Sequence, residues 1–175
     1  MDGSFEEWKS IEPEFRDTIE DTLHRDHKGY GSLMYKNDTG RNDFVIAKAA
    51  YDSKSIYFYI QTLNQITPRT DSHWMLLFID ADQNSKTGWN GYDYLLNLEV
   101  PSDKVTKVMG WNKGHWEPVG QASYRVTSNT MELAVSRKLI RQTAAKPAFD
   151  FHWADNIQKL EDISEFGVNG DSAPN

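Results

Sequence analysis

The chain has 175 residues, 38% of them hydrophobic and 13% aromatic, which is enough for one well-packed domain and too little for a second full one. A formal net charge of -7 leaves no basic patch to neutralise phosphates, so nucleic acid and anionic membrane are excluded as expected partners. There is no cysteine, hence neither a disulfide framework nor thiolate chemistry, and no apolar run approaches the roughly 18 residues of a membrane span.

The opening MDGSFEEW carries no apolar signal-peptide segment. Trp8, Ile11, Phe15 and Ile19 follow at helical spacing, but Pro13 interrupts them, so a covering segment with short helical turns is expected. HRDHKGYGSLMYKNDTGRND is broken by Gly29, Gly31 and Gly40 around a short strand near Leu33 to Tyr35. FVIAKAAYDSKSIYFYIQTLN reads as a hairpin turning at Asp52 to Ser55. HWMLLFIDA is apolar almost throughout, as a strand buried on both faces would be, and YDYLLNLEV reads as its neighbour. Two more hairpins turn at Lys113-Gly114 and Ser128-Asn129. Ser136 and Pro147 bracket RKLIRQTAA as one short helix, and AFDFHWADN is the last expected strand, with Phe149, Phe151 and Trp153 alternating. Many short strands with regular turn signals and one incidental helix predict an all-β, antiparallel β-sandwich with immunoglobulin-like or jelly-roll-like layers. Residues 1–170 are expected as its single domain and 171–175, with their linker composition, as a tail or linker.

The connection between WMLLFI and YDYLLN holds more side-chain oxygens than a turn requires. On an extended backbone Asp80, Asp82 and Asn84 share one face, and Asp93 returns toward them, a donor set suited to a hard cation such as calcium. The same residues are also turn formers that cap local backbone groups, and the sequence leaves both readings open. An EF-hand is excluded, because Ser85 stands where the loop glycine belongs and Gly91 where its last glutamate belongs. Five scattered histidines, His24, His27, His73, His115 and His152, lack the spacing of a zinc motif.

Loop position makes Trp89 the foremost exposed indole, with Asn90 beside it, and Trp111 and Trp116 flank the turn NKGH. Such rings can stack on the C–H faces of a sugar while amides and carboxylates bind its hydroxyls. Trp8, Trp74 and Trp153 lie within apolar patterns and are expected in the core, and Asp155 and Asn156 are expected to cap the chain's exit from the sheet. No G-x-S-x-G elbow, P-loop or dinucleotide fingerprint is present, and 26 acidic residues make a close carboxylate pair uninformative, so no enzyme is expected.

FIDADQNSKTGWNGYDYLLN (78–97), the opening DGSFEEW, AKAAYDSKSIYFYIQT (47–62) and DFHWADNIQ (150–158) together resemble the carbohydrate-binding module family 9-like group, which is related to the DOMON-like sandwiches, and especially its Bacteroidetes-type modules. The resemblance spans nearly the whole chain in order. It implies a non-catalytic, extracellular, periplasmic or cell-surface β-sandwich that serves a secreted glycoside hydrolase or polysaccharide-utilisation protein. It also implies structural calcium, for which Asp80, Asp82, Asn84 and Asp93 are the matching positions, and carbohydrate as the partner, with a catalytic domain of the parent protein as a further one. A structural docking module without sugar binding is the alternative.

Overall fold

The computed structural model describes residues 4–22 and 25–174, so His24 lies outside it. Twelve strands form among these residues: β1 (Phe15–Arg16), β2 (Arg25–Lys28), β3 (Met34–Asn37), β4 (Phe44–Tyr51), β5 (Ser55–Thr62), β6 (Leu76–Asp80), β7 (Tyr94–Leu96), β8 (Val105–Asn112), β9 (His115–Thr127), β10 (Thr130–Ser136), β11 (Asp150–Asp155) and β12 (Asp171–Ala173). Ten of them make one antiparallel sheet in the order β1-β4-β5-β10-β9-β8-β7-β6-β11-β12, while β2 and β3 pair apart from it. The fold is all-β as expected. Its layers are the two halves of a single sheet that curls almost into a barrel, a consequence of the twist that a sheet of this breadth accumulates.

The three hairpins turn where the sequence places them, and their registers put Tyr51 opposite Ile56, Asn112 opposite His115 and Thr127 opposite Thr130. Alternation then sorts the side chains. Inside the curl Phe58, Leu77, Ile79, Leu96, Val108, Leu133 and Trp153 make the main core, where Phe58 meets the edges of Phe149 and Phe151 at 5.7 and 5.4 Å. Leu76, Phe78, Leu95, Met109 and Ala154 point the other way into a second cluster. β6 is therefore buried on both faces, as its unbroken apolar run requires. The outer face of β4, β5 and β10 is covered by the N-terminal segment, whose short 3-10 helix Glu6–Ser10 stacks Trp8 on Tyr59 at 5.2 Å. Two buried charges fasten it: Glu132 accepts the Trp8 indole N–H at 3.0 Å, and Lys48 donates to the carbonyls of Trp8 and Ile11 and pairs with Glu14 at 2.9 Å. Trp8, Trp74 and Trp153 are all core, at 4%, 2% and 0% exposure.

Two expectations are corrected. RKLIRQTAA makes one turn and stops, with Arg141 in the left-handed region (φ 59°) and the Gln142 N–H bonded back to the Arg137 carbonyl. The Arg137 guanidinium takes the carbonyls of Gln142, Ala144 and Asp52, so tertiary hydrogen bonds capture acceptors that a continuing helix would need. The only α-helix among the described residues is α1 (Glu165–Val168), a single turn. Residues 171–173, expected as a tail, form the edge strand β12, buried against β11. Asp171 accepts the Phe44 N–H at 2.5 Å and so draws β12 toward β4, bringing the two ends of the sheet together.

Asp155, the last residue of β11, joins three segments. Its fully buried carboxylate takes the Asn42 amide at 3.0 Å and the Met75 N–H at 2.8 Å on one oxygen, and the Arg41 guanidinium at 2.8 Å on the other. Burial pushes this carboxyl up, while Arg41 and the two hydrogen bonds pull it back. Removing one partner of such a pair strands the rest, so Asp155→Ala is expected to destabilise the fold by about 3–5 kcal/mol in denaturant unfolding. Loss of less than ~1 kcal/mol would show that the junction carries little of the stability.

Candidate functional site

The oxygen-rich loop leaves β6 at Asp80 and re-enters the sheet at Tyr94. Within it, Trp89 and Tyr92 exchange backbone hydrogen bonds of 2.8 and 3.0 Å around Asn90 (φ 52°) and Gly91 (φ 101°), the two left-handed residues of a type I′ turn. A Cβ on Gly88 would lie 2.2 Å from the Tyr92 carbonyl oxygen, so only glycine fits beneath that turn. The chain is folded down tightly, and Trp89 goes with it.

Three of the four expected ligands converge. Asp80, Asp82 and Asp93 each bring a carboxylate oxygen to within 4.8 Å of the others. Asp80 Oδ1 also accepts the N–H groups of Asp82 and Asn84 at 3.2 and 3.3 Å, Asp82 takes the Thr87 hydroxyl at 3.0 Å, and Asp93 Oδ2 takes the Ala81 N–H at 2.9 Å. Burial lifts the Asp93 carboxyl, opposed by the Ala81 bond and reinforced by the charges of Asp82 and Asp80. The side-chain oxygen of Asn84 accepts the Lys86 N–H at 3.1 Å, which is the turn-capping role. Asn84 thus has the turn-forming role, while the three carboxylates lie close together. The donor chemistry, oxygens alone at a spacing inside twice a calcium–oxygen distance of about 2.4 Å, fits a hard cation.

Exposure corrects the tryptophan assignment. Trp89 is only 6% exposed and lies stacked on Phe78 at 5.6 Å, so its ring faces are not open to a ligand. Trp111 and Trp116 are direct cross-strand partners and therefore share a face, where they meet edge-on at 5.1 Å. Both are half-buried against the second cluster, which Tyr92, Phe166 and His152 complete. Asn90 is exposed at the turn.

Beside the loop lies a cleft of about 440 Å³. It joins Asp82 and Asp93 to Trp111, Asn112, Glu117 and Arg141. At its rim Glu117 is clasped by the Asn112 amide at 2.8 Å and by His115 at 2.6 Å, which hold its carboxyl below the usual range. Of the cleft residues, Asp82, Asp93 and Trp111 are among those expected from the sequence, whereas Asn112, Glu117 and Arg141 are not. The first two flank the Lys113-Gly114 turn, and that hairpin was the available signal. Asp155 and Asn156, at the far end of β11, are structural, as expected. No protein-family model matches the chain, and no curated protein or solved structure resembles it closely enough to count as a match.

His152 supplies a test of the aromatic wall. Its ring stacks on Phe166 at 4.7 Å, its Nε2 is buried without a partner among the described residues, and burial lowers its pKa to about 4. The unfolded chain, with a histidine near 6.5, binds the proton first, so stability is lost as pH falls from about 6.5 toward 4. The expected loss is roughly 3 kcal/mol over that window. His152→Phe should remove this component, seen as the difference between the two stability–pH curves, and superimposable curves would refute the assignment.

Proposed function

We propose that this chain is a non-catalytic carbohydrate-binding module. Its setting is extracellular, periplasmic or at the cell surface, alongside a glycoside hydrolase or polysaccharide-utilisation protein. The observation that supports this most is the cleft, where Asp82, Asp93, Asn112, Glu117 and Arg141 gather beside Trp111. A saccharide needs that combination, polar groups for its hydroxyl rim and an indole for its C–H face. The resemblance of four separate stretches to family 9-like modules supports the same reading. Trp111 takes the contact role first given to Trp89, which packs beneath it in the second cluster together with Trp116.

In this reading Asp80, Asp82 and Asp93 hold a calcium ion that braces the loop forming one wall of the cleft. The chain's own part is geometric: Asp80 stays on the last residue of β6, and the type I′ turn returns Asp93 to it.

Calorimetric titration with plant and host oligosaccharides is expected to find a ligand whose affinity Trp111→Ala lowers about tenfold, the equivalent of ~1.4 kcal/mol. If no glycan binds, or if Trp111→Ala leaves binding unchanged, the docking-module reading takes its place. Independently, Asp82→Ala should bind one calcium equivalent fewer than the parent protein in equilibrium dialysis. Equal stoichiometry would rule out the loop as a metal site.

A further inference from the structure

We propose that Asp21, Asp43 and Asp171 form a second, buried site for a hard divalent cation, with calcium the ion their oxygen donors fit, separate from the cleft and its loop. The three come from distant parts of the chain, the segment before β2, the residue before β4 and the first residue of β12. One carboxylate oxygen of each lies within 4.8 Å of the others. Ligands around a calcium ion stand at 2.3–2.6 Å from it, so oxygens up to about 5 Å apart can share one ion.

A sharper observation comes from Asp43, which is 2% exposed. Its Oδ2 accepts the Glu20 N–H at 2.7 Å, whereas Oδ1 is buried and meets no hydrogen-bond donor among the described residues. Thr22, next to Asp21 in the chain and fully buried, likewise has a hydroxyl without a partner there. The orphaned Asp43 oxygen, on a member of the acidic cluster, calls for an electropositive occupant, since a buried group left unpaired costs about 1–3 kcal/mol.

Charge leads to the same conclusion. Arg25 is the basic side chain paired with this cluster, and its Nη2 lies 3.4 Å from Asp21. Its other donors go to the carbonyls of Asp21, Gly167 and Gly170. One guanidinium therefore faces three carboxylates, two of them at 2% exposure. With the charges of Asp17 and Glu20 also acting on the cluster, an excess of negative charge remains for protons or a divalent ion to neutralise. Among the described residues no imidazole belongs to the cluster, and oxygen donors alone favour a hard cation over zinc. Such an ion would link residues 21–22, the start of β4 and the edge strand β12, fastening the two ends of the sheet.

The test uses the full chain in which Asp82→Asn has disabled the loop site. Elemental analysis after desalting is expected to find about one calcium per chain, and calcium at about 100-fold above its Kd should raise Tm by roughly 5–10 °C over chelator-treated protein. Adding Asp43→Asn, or Asp171→Asn if that variant folds poorly, should abolish both. Absence of bound calcium in Asp82→Asn, or its retention in the double variant, would overturn the proposal. If the parent protein and Asp82→Asn hold the same single equivalent, the buried site stands and the loop site does not.

Discussion

Asp155 is the constraint on which the arrangement of this fold turns. A sheet of ten strands has two free edges, and curling it requires loops from different strands to agree on a geometry. The buried carboxylate enforces that agreement. It binds the loop before β4 through Arg41 and Asn42 and the entry to β6 through Met75, while its own strand pairs with both β6 and β12. An ionised group so placed gives specificity through its directional partners more than net stability, because its desolvation offsets much of the attraction.

From that junction the two cores follow. Strands β6, β7, β8 and β11 are covered on both sides, by the interior of the curl and by the aromatic cluster that contains Phe78, Trp89 and Phe166. The cleft and its acidic loop sit where this doubly buried part of the sheet reaches solvent. Their residues thus rise from a rigid base, the condition under which a binding surface loses little entropy on engaging a ligand.

What was legible in the sequence was local. Turn dipeptides located the hairpins, and the apolar run 74–79 announced a central strand. Readings that failed did so where distant groups intervened. The segment 137–145 has ordinary helix-forming residues, but Arg137 ties it back to the Asp52 carbonyl. GDSA gives no sign of strand propensity, and it becomes one because β11 offers an edge and Phe44 a donor. Loop position implies exposure for Trp89, yet Asn90-Gly91 beside it carries the signal of a tight turn that folds the ring inward. The Asp21, Asp43 and Asp171 cluster joins residues 150 positions apart and has no sequence signature at all.

The edge-on contact of Trp111 and Trp116, 5.1 Å between centroids, has an optical consequence. Two indoles this close and steeply inclined couple their excited states, which yields a paired circular-dichroism band from the strong far-ultraviolet transition of indole. Because Trp111 also lines the cleft, any occupant that tilts its ring alters the coupling, and the protein carries an intrinsic chromophore pair for following events at that surface without a label.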